Sequence, residues 1–225
     1  MQDARYVKEA FAGIARRYVL TNHVLSLGTD VLWRRKTARL VESFAPGHVL
    51  DLATGSGDLA LAIQGACPSA RVLGADFSVP MMRQAQRQGF QNVVAADAMA
   101  LPLADASFDV VTVAFGLRNM ASWPGALKEM LRVLRPGGRL VVLDFSLPSW
   151  LLLRGPYVFY LKHIMPRVAG VLTGKREAYE YLCGSIERFP SGARMEALMR
   201  DCGFAEPVSR PLSFGIATLY TAGKP

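Results

Sequence analysis

The sequence predicts an α/β fold in which a mostly parallel sheet of seven strands is flanked by helices and ends in an antiparallel hairpin. From His48 onward, short apolar runs alternate with segments of helical period, which is the pattern of a parallel sheet with crossover helices. A glycine-bearing turn follows the first of these runs. The last two runs are joined at Ser213, and so tight a connection is compatible only with antiparallel pairing.

Seven apolar runs are predicted to be strands, and three segments between them are predicted to be helices. The strands cover residues 48–53, 71–76, 92–96, 109–115, 139–145, 205–212 and 214–222, and the helices cover 58–64, 78–88 and 122–134. Ser78 and Ser122 are placed as N-caps of the second and third helices, and Pro124 lies in the first turn of the third. These elements form a βαβαβ core followed by a hairpin.

Length and composition favour one domain over residues 1–225. The chain has 225 residues, 51% of them hydrophobic, and can bury a sizeable core without cross-links. Residues 1–44 are predicted to form a helical cover, and residues 147–202 a helical insert that acts as a lid. The insert holds the most apolar stretch of the chain, but Arg154, Pro156 and Lys162 interrupt it, so it is not predicted to span a membrane.

Cysteine usage and charge limit the class of protein. Cys67, Cys183 and Cys202 lie far apart and form no CxxC pair, so neither a metal site nor a disulfide framework is predicted. The N-terminus lacks a secretory signal, so a cytoplasmic protein is expected. The net charge of +8 suits an anionic membrane surface, but no dense basic run with interleaved aromatic residues predicts nucleic-acid binding.

The first predicted strand ends in a turn that suits ligand binding. Gly55 and Gly57, with Ser56 between them, let a ligand approach the backbone, and the following helix start offers free N–H groups. With Ala60, the two glycines also match the GxGxxA pattern of dinucleotide sites, and Asp76 lies about 20 residues further on. The turn is therefore also compatible with a nicotinamide-binding oxidoreductase.

Three acidic residues favour S-adenosylmethionine over a dinucleotide. Asp51 ends the first strand, where a carboxylate suits an amino group and a sulfonium but repels a pyrophosphate. Asp76 is placed to accept hydrogen bonds from ribose hydroxyls, and Asp97-Ala98 is placed to meet the adenine amino group. Each aspartate alone could be a cap or a turn residue. All three follow consecutive strands, however, and open α/β sheets bind ligands at the carboxyl ends of their strands.

Four patches of the chain resemble the ubiquinone/menaquinone biosynthesis C-methyltransferase family, and together they span nearly the whole sequence. Residues 115–119 match the family motif FGLRN, and the N-terminal pattern Y-x-x-x-N-x-x-x-S-x-G-x-x-x-x-W-[RK] is matched by Tyr18, Asn22, Ser26, Gly28, Trp33 and Arg34. The insert contributes residues 163–167, Tyr179, Tyr181, Leu182, Ser185, Ile186, Phe189 and Pro190, and the chain ends in Gly223-Lys224-Pro225. The resemblance implies a Rossmann-like class I methyltransferase that depends on S-adenosylmethionine.

The chain departs from the family pattern at four positions. Val19 and His23 stand where the family commonly has aspartates, so these positions are assigned no acid–base role. Ser56 replaces a usual threonine and keeps its hydroxyl. Ala114 replaces a serine, so it can offer the cofactor only its backbone.

The resemblance also implies the reaction, which is methyl transfer to a ring carbon of a polyprenylated quinol. The acceptor is demethylmenaquinol, the equivalent precursor of ubiquinone, or both. Electron density for the ring carbon comes from an ionised hydroxyl, so the protein must align the reactants and stabilise an oxyanion. Arg118 is predicted to hold that oxyanion, Asn119 to orient the quinol or a water, and His163 and Tyr18 to act as acid–base groups. The transfer requires no metal.

The insert is also predicted to contact lipid, because it combines apolar and basic side chains. These are Trp150, Leu151, Leu152, Leu153, Tyr157, Phe159 and Tyr160, with Arg154, Lys162 and Arg167. Such a lid can receive an isoprenoid tail and lie on the inner face of the membrane, although the same pattern fits a core-packing helix.

Two further functions are compatible with the sequence. The basic surface suits a methyltransferase that acts on RNA or on another small molecule, and the cofactor motifs would also be kept by a catalytically inactive binding subunit. Nucleic-acid affinity that falls steeply with salt would indicate the RNA enzyme, whereas cofactor binding without methyl transfer would indicate the inactive subunit. The sequence leaves a homo-oligomer open.

Overall fold

The computed structural model describes residues 28–148, 150–167 and 183–225. The helices are α1 (Thr29–Glu42), α2 (Asp58–Ala66), α3 (Val79–Arg87), α4 (Trp123–Val133), α5 (Leu151–Phe159) and α6 (Ala193–Asp201). The strands are β1 (His48–Leu52), β2 (Arg71–Asp76), β3 (Val93–Ala95), β4 (Phe108–Ala114), β5 (Leu134–Phe145), β6 (Ala205–Leu212) and β7 (Ala217–Gly223). Short 3₁₀ turns cover Leu117–Asn119 and Ser213–Gly215, and a π-helical segment, Tyr160–Ile164, follows α5.

The seven strands form one sheet in the order β3-β2-β1-β4-β5-β7-β6. The first five are parallel, whereas β7 is antiparallel to both of its neighbours, β5 and β6. The predicted α/β fold with an antiparallel C-terminal hairpin is therefore confirmed. In the dinucleotide-binding fold the sixth strand follows the fifth directly, so the reversed β7 between them distinguishes this sheet from that one.

The central strands β1 and β4 are buried along most of their length, because helices cover both faces of the sheet there. Leu50 and Leu52 of β1 face a core shared with α4 and α6, while Val49 faces a second core shared with α1 and α2. Successive side chains of a strand point to opposite faces, so a continuous apolar run supplies both cores. The result is a three-layer arrangement with the sheet in the middle.

The predicted strand over residues 214–222 begins too early. Ser213 and Phe214 adopt left-handed backbone conformations with φ of 45° and 58°, and the turn continues to Gly215, so β7 starts at Ala217. In contrast, β5 begins at Leu134, earlier than predicted. Leu134 pairs with Phe108 of β4, and the continuous pairing of the two strands begins only at Val110 and Arg139. These boundaries depend on backbone conformations and pairings that a hydropathy pattern does not encode.

The two helical additions pack in different ways. In α1, the part of the N-terminal cover within the described range, Trp33 and Val41 are buried in the core shared with α2, and Nε1 of Trp33 donates a hydrogen bond of 2.9 Å to Oγ of Ser213. The insert is not uniformly a lid. Met195 and Met199 of α6 are fully buried in the main core, while residues of α5 and the π-helical segment form a separate small cluster with Cys183 and Ile186. In the described ranges, no helix has the length and hydropathy needed to cross a membrane.

Candidate active site

A cleft opens at the carboxyl ends of β1, β2 and β4. The strand order reverses at this point, because β2 and β3 follow on one side of β1, whereas β4 and β5 lie on its other side. The cleft is partly open to solvent and has a cavity volume of about 110 Å³. Its lining residues are Arg34, Asp51, Ala53, Thr54, Gly55, Ser56, Asp58, Leu59, Asp76, Phe77, Ser78, Met81, Ala114, Phe115, Gly116 and Asn119. Ligands of open α/β sheets bind at this position.

Asp51 places a buried carboxylate at the floor of the cleft. Its two oxygens accept hydrogen bonds of 2.7 Å from Oγ1 of Thr54 and Oγ1 of Thr112. Burial raises the pKa of Asp51 to about 6, while the two hydroxyls and the nearby Arg34 act in the opposite direction. In the described part of the chain, no cation lies within salt-bridge distance of Asp51. The carboxylate is thus suited to a cationic ligand.

Asp76 connects the glycine turn to the start of α3. One carboxylate oxygen accepts from the backbone N–H of Gly55 and the other from that of Ser78, both at 2.8 Å. Burial raises the pKa of Asp76, and these backbone hydrogen bonds lower it. Asp76 therefore has a structural task besides any contact with a ligand.

Ser78 leaves a buried hydroxyl at the cleft. It occupies the predicted N-cap position of α3, but its side chain makes no capping hydrogen bond. Among the described residues its Oγ has no hydrogen-bond partner, although the atom is buried. A buried hydroxyl without a partner is costly, so this atom is available to a polar ligand group.

The glycines of the turn differ in role. Gly55 lines the cleft with φ of +57°, a backbone conformation that favours glycine. Gly57 does not line the cleft, and a Cβ there would meet Cβ of Ala85 at 3.1 Å, which gives this glycine a packing role against α3. Ser56 lines the cleft and donates from its hydroxyl to Asp58 at 2.5 Å.

The opposite wall is formed where β4 ends. Ala114 lines it as predicted, and Phe115 follows with φ of 56°. Ala53, at the end of neighbouring β1, has φ of 53°. Left-handed conformations are rare for residues with a side chain and concentrate at functional sites. The two turns also approach closely, because a Cβ on Gly116 would lie 2.6 Å from Cβ of Ala53.

Asp97 and Ala98 are not brought into the cleft. The strand β3 ends at Ala95, and the exposed carboxylate of Asp97 accepts a hydrogen bond of 2.9 Å from the N–H of Met99. Asp97 thus acts as a turn residue, as an aspartate after a strand often does. Ala98 is half-buried and packs against the main core.

Arg118 was expected to face the cleft, but it is buried and does not line it. Its side chain is 1% exposed and donates hydrogen bonds of 2.7 Å to Asp144 and 2.5 Å to the carbonyl oxygen of Phe115. The guanidinium also lies 5.2 Å from the centre of the Phe145 ring. The buried carboxylate of Asp144 needs a counter-charge, and this requirement directs the arginine inward. Asn119 does line the cleft, with Nδ2 3.4 Å from the Phe115 carbonyl oxygen.

His163, one of the two acid–base candidates, is not placed at the cleft. His163 lies exposed in the π-helical segment, where its ring packs 4.9 Å from the ring of Phe159, and it is not among the lining residues. Tyr18 lies outside the described residues. The placement of His163 therefore gives its predicted role no support.

Ten of the sixteen lining residues are not among the site residues predicted from the sequence. Thr54 and Phe77 closely follow Asp51 and Asp76, so their position in the chain was a signal for the site. Met81 belongs to the first turn of α3. Arg34 was noted only as part of the N-terminal pattern, and a sequence alone does not show that α1 docks at the mouth of the cleft.

The fold matches that of S-adenosylmethionine-dependent methyltransferases. A methyltransferase from Thermotoga maritima, described as a possible histamine N-methyltransferase, aligns with a TM-score of 0.68 and 19% identity over 97% of this chain and 99% of that one. Human N-acetylserotonin methyltransferase in complex with S-adenosylmethionine aligns with a TM-score of 0.63 and 17% identity over 96% of this chain and 59% of that one. The chain thus has the Rossmann-like fold of class I methyltransferases.

The chain belongs to the ubiE/COQ5 methyltransferase family, whose model matches residues 1–224. It is 43% identical to a demethylmenaquinone methyltransferase of Thermus thermophilus in an alignment of 220 residues that covers 96% of this chain and 100% of that protein. It is 40% identical to a ubiquinone/menaquinone biosynthesis C-methyltransferase of Geotalea daltonii over 226 residues, covering 97% and 96% of the two chains. It is therefore an enzyme, and its cofactor is S-adenosylmethionine.

Proposed function

We propose that the enzyme methylates a ring carbon of a polyprenylated quinol, with demethylmenaquinol as the acceptor. The observation that carries the proposal is the length of the match. Relatives with this acceptor in their names are 43% identical over essentially their entire chains, so the similarity includes α1 and the insert as well as the common sheet. A ubiquinone precursor is the second candidate, because other relatives at about the same identity are named for both pathways.

The cleft has groups that suit each part of the cofactor. The carboxylate of Asp51 would hold the ammonium group, and that of Asp76 the ribose hydroxyls, with the unpartnered hydroxyl of Ser78 beside it. The half-exposed ring of Phe77 offers an apolar surface to the adenine. When bound, S-adenosylmethionine supplies an electrophilic methyl group on a sulfonium centre. Asp97 would meet the adenine only at the rim, since it lies outside the cleft.

For the acceptor, the chain must place the ring carbon in line with the methyl group. Asn119 is the polar side chain at the β4 wall of the cleft, and its amide would orient a quinol hydroxyl or a water there. The apolar wall of Ala114 and Phe115 would exclude water, which strengthens electrostatic interactions with an ionised hydroxyl. Tyr18 stays the acid–base candidate from the part of the chain outside the described ranges.

Arg118 would act on this site indirectly, by holding neighbouring residues in position. It ties the turn after β4 to the end of β5, and the Asn119 side chain extends from that same turn. The electrostatic role predicted for Arg118 would require its guanidinium to leave Asp144. A positioning role needs no such movement.

We further propose peripheral contact of the insert with an anionic membrane surface. Leu152 is 71% exposed, and Trp150 and Phe159 are each 58% exposed. Leu152 and Phe159 are seven positions apart and thus share one face of α5. Arg154 supplies positive charge on the same helix, whereas Lys162 forms an ion pair of 2.7 Å with Glu187. A polyprenyl acceptor is itself dissolved in lipid, so an exposed apolar face next to basic side chains suits its delivery.

The test is a methyl-transfer assay with a chemically defined acceptor. Purified protein, S-adenosylmethionine carrying a labelled methyl group and demethylmenaquinone in detergent are incubated with and without dithionite. Labelled menaquinone should form only with the reductant, because the oxidised ring lacks the hydroxyl that activates the carbon. Transfer to a benzoquinol precursor alone would reassign the acceptor, and absence of calorimetric binding of S-adenosylhomocysteine would reject the proposed chemistry.

A further inference from the structure

Arg34 brings a cation into a cleft that is otherwise acidic. It belongs to α1, its side chain is 14% exposed, and its guanidinium forms an ion pair with the buried carboxylate of Asp30. Of the described residues that line the cleft, it alone carries a positive charge, beside three aspartates. A long cationic side chain is seldom held away from water unless it is paired or binds a ligand.

The guanidinium is held in place by two partners. Nη1 donates to Asp30, and the guanidinium carbon lies 5.3 Å from the centre of the Phe115 ring, which is itself part of the cleft wall. Within the described residues, no other hydrogen bond is made by the Arg34 side chain, so Nε and Nη2 keep their N–H groups. These two nitrogens form one edge of the planar fork that binds a carboxylate with two parallel hydrogen bonds.

A positive and a negative group thus line the same cleft. Arg34 lies close enough to Asp51 to lower the pKa of that carboxyl. The two side chains come from different elements, α1 and β1, and they are not in salt-bridge contact with each other. An unjoined pair of opposite charges in one cleft is complementary to a zwitterion, in which an ammonium and a carboxylate are bonded to the same carbon.

We propose that Arg34 binds the α-carboxylate of the cofactor's methionyl group through Nε and Nη2, while Asp51 binds the ammonium group on the same carbon. Asp30 and Phe115 hold the guanidinium in the orientation that this contact requires. The inference rests on the proposed function insofar as S-adenosylmethionine is the ligand. It assigns a part of α1 to recognition of the cofactor, in addition to the contacts from the strand ends and from the turns that follow them.

The experiment compares two ligands that differ only in the carboxylate. The affinities of S-adenosylhomocysteine and of its decarboxylated analogue, which keeps the amino group, are measured by titration calorimetry. The wild-type enzyme should prefer S-adenosylhomocysteine by about 10- to 100-fold, the range expected for hydrogen bonds to a charged group. In Arg34→Gln this preference should fall to within about twofold, with the affinity for the analogue unchanged. Arg34→Lys should restore part of the preference.

Arg35→Gln is the matched control, since it removes the same charge from the adjacent, exposed position of α1. It should leave both affinities unchanged. Equal weakening of both ligands in Arg34→Gln, or a wild-type enzyme that does not distinguish them, would overturn the inference and leave Arg34 as a structural partner of Asp30. If Arg34→Gln does not fold, a wild-type enzyme that does not distinguish the two ligands still overturns the inference. A wild-type enzyme that binds neither ligand would reject the proposed function itself.

Discussion

Arg118 and Asp144 form a buried ion pair, with Nη1 of the arginine 2.7 Å from Oδ1 of the aspartate and neither side chain more than 1% exposed. The same carboxylate accepts hydrogen bonds from the backbone N–H groups of Phe145 and Arg118. Burial raises the pKa of Asp144, while the guanidinium of Arg118 lowers it. The pair therefore fixes the turn after β4 against the end of β5.

Arg118→Ala should destabilise the protein, because it leaves the Asp144 carboxylate buried without its cation. The free energy of unfolding should fall by about 3–5 kcal/mol, measured by urea denaturation. Arg118→Lys should lose less stability, because it keeps the positive charge beside Asp144. It should not match the wild type, because lysine lacks the planar fork that also reaches the Phe115 carbonyl. Arg83→Ala, at an exposed position of α3, is the control and should change little. If Arg118→Ala were fully stable but about 10²–10³-fold slower in methyl transfer, the oxyanion role predicted from the sequence would be correct instead.

Asp51→Asn should stabilise the ligand-free enzyme at neutral pH while weakening cofactor binding. The folded pKa of Asp51 is about 6 and its ordinary value is about 4, so the folded state binds more protons between these values. The free energy of unfolding then decreases as pH rises through this window. Removing the buried charge should raise it by about 1–2 kcal/mol at pH 7.5. Calorimetric affinity for S-adenosylhomocysteine should increase with pH through about 6 in the wild type and stay flat in the variant. A variant less stable than wild type at pH 7.5 would contradict this account.

Gly116→Ala should disturb the contact between the turns after β1 and β4. Its new Cβ would lie 2.6 Å from Cβ of Ala53, which cannot move freely because its own backbone is left-handed. The melting midpoint should drop by an amount equivalent to about 1–3 kcal/mol, and cofactor affinity should fall with it. Gly65→Ala is the control, since a Cβ there has no atom within 4 Å and adds helix propensity to α2. Equal stability of the two variants would show that the cleft walls adjust to the extra atom.

Asp76→Ala and Asp97→Ala should differ in their effect on the cofactor. The first removes a buried acceptor from the cleft and releases the N–H groups of Gly55 and Ser78. Its affinity for S-adenosylhomocysteine should decrease by at least about tenfold, with some loss of stability. The second removes an exposed carboxylate, so its affinity should change by no more than about threefold. A larger effect of Asp97→Ala would move the adenine site out to the end of β3.

Leu152→Asp should reduce binding to anionic vesicles, because it places a negative charge on the exposed face of α5. Co-sedimentation with phosphatidylglycerol vesicles should decrease several-fold. High salt should weaken vesicle binding by the wild-type protein in the same assay. Val208→Asp makes the same change at an exposed apolar position of β6 and should leave binding unchanged. If both variants sediment like the wild type, the proposed lipid surface is elsewhere.

Hydropathy was sufficient to predict the sheet, because its central strands, such as β1 and β4, are buried along most of their length. The acidic residues at strand ends were also sufficient to locate the cleft, and Asp51 and Asp76 line it. Directions of side chains could not be predicted in this way. Nothing in the motif around Arg118 indicates that Asp144, 26 positions later, draws its guanidinium inward. The position of Arg34 at the cleft could not be predicted either, because it depends on where α1 packs.

The hydrogen bond from Trp33 to Ser213 can form only late in the synthesis of the chain. These residues are 180 positions apart, and Trp33 is adjacent to Arg34 at the mouth of the cleft. The N-terminal helix emerges from the ribosome first, but this anchor cannot form until the last hairpin has been translated. Contacts of such large sequence separation form late, since the chain entropy of closing the loop must be overcome first. A nascent chain that stalls before β7 should therefore have its parallel strands and yet lack a competent cofactor site.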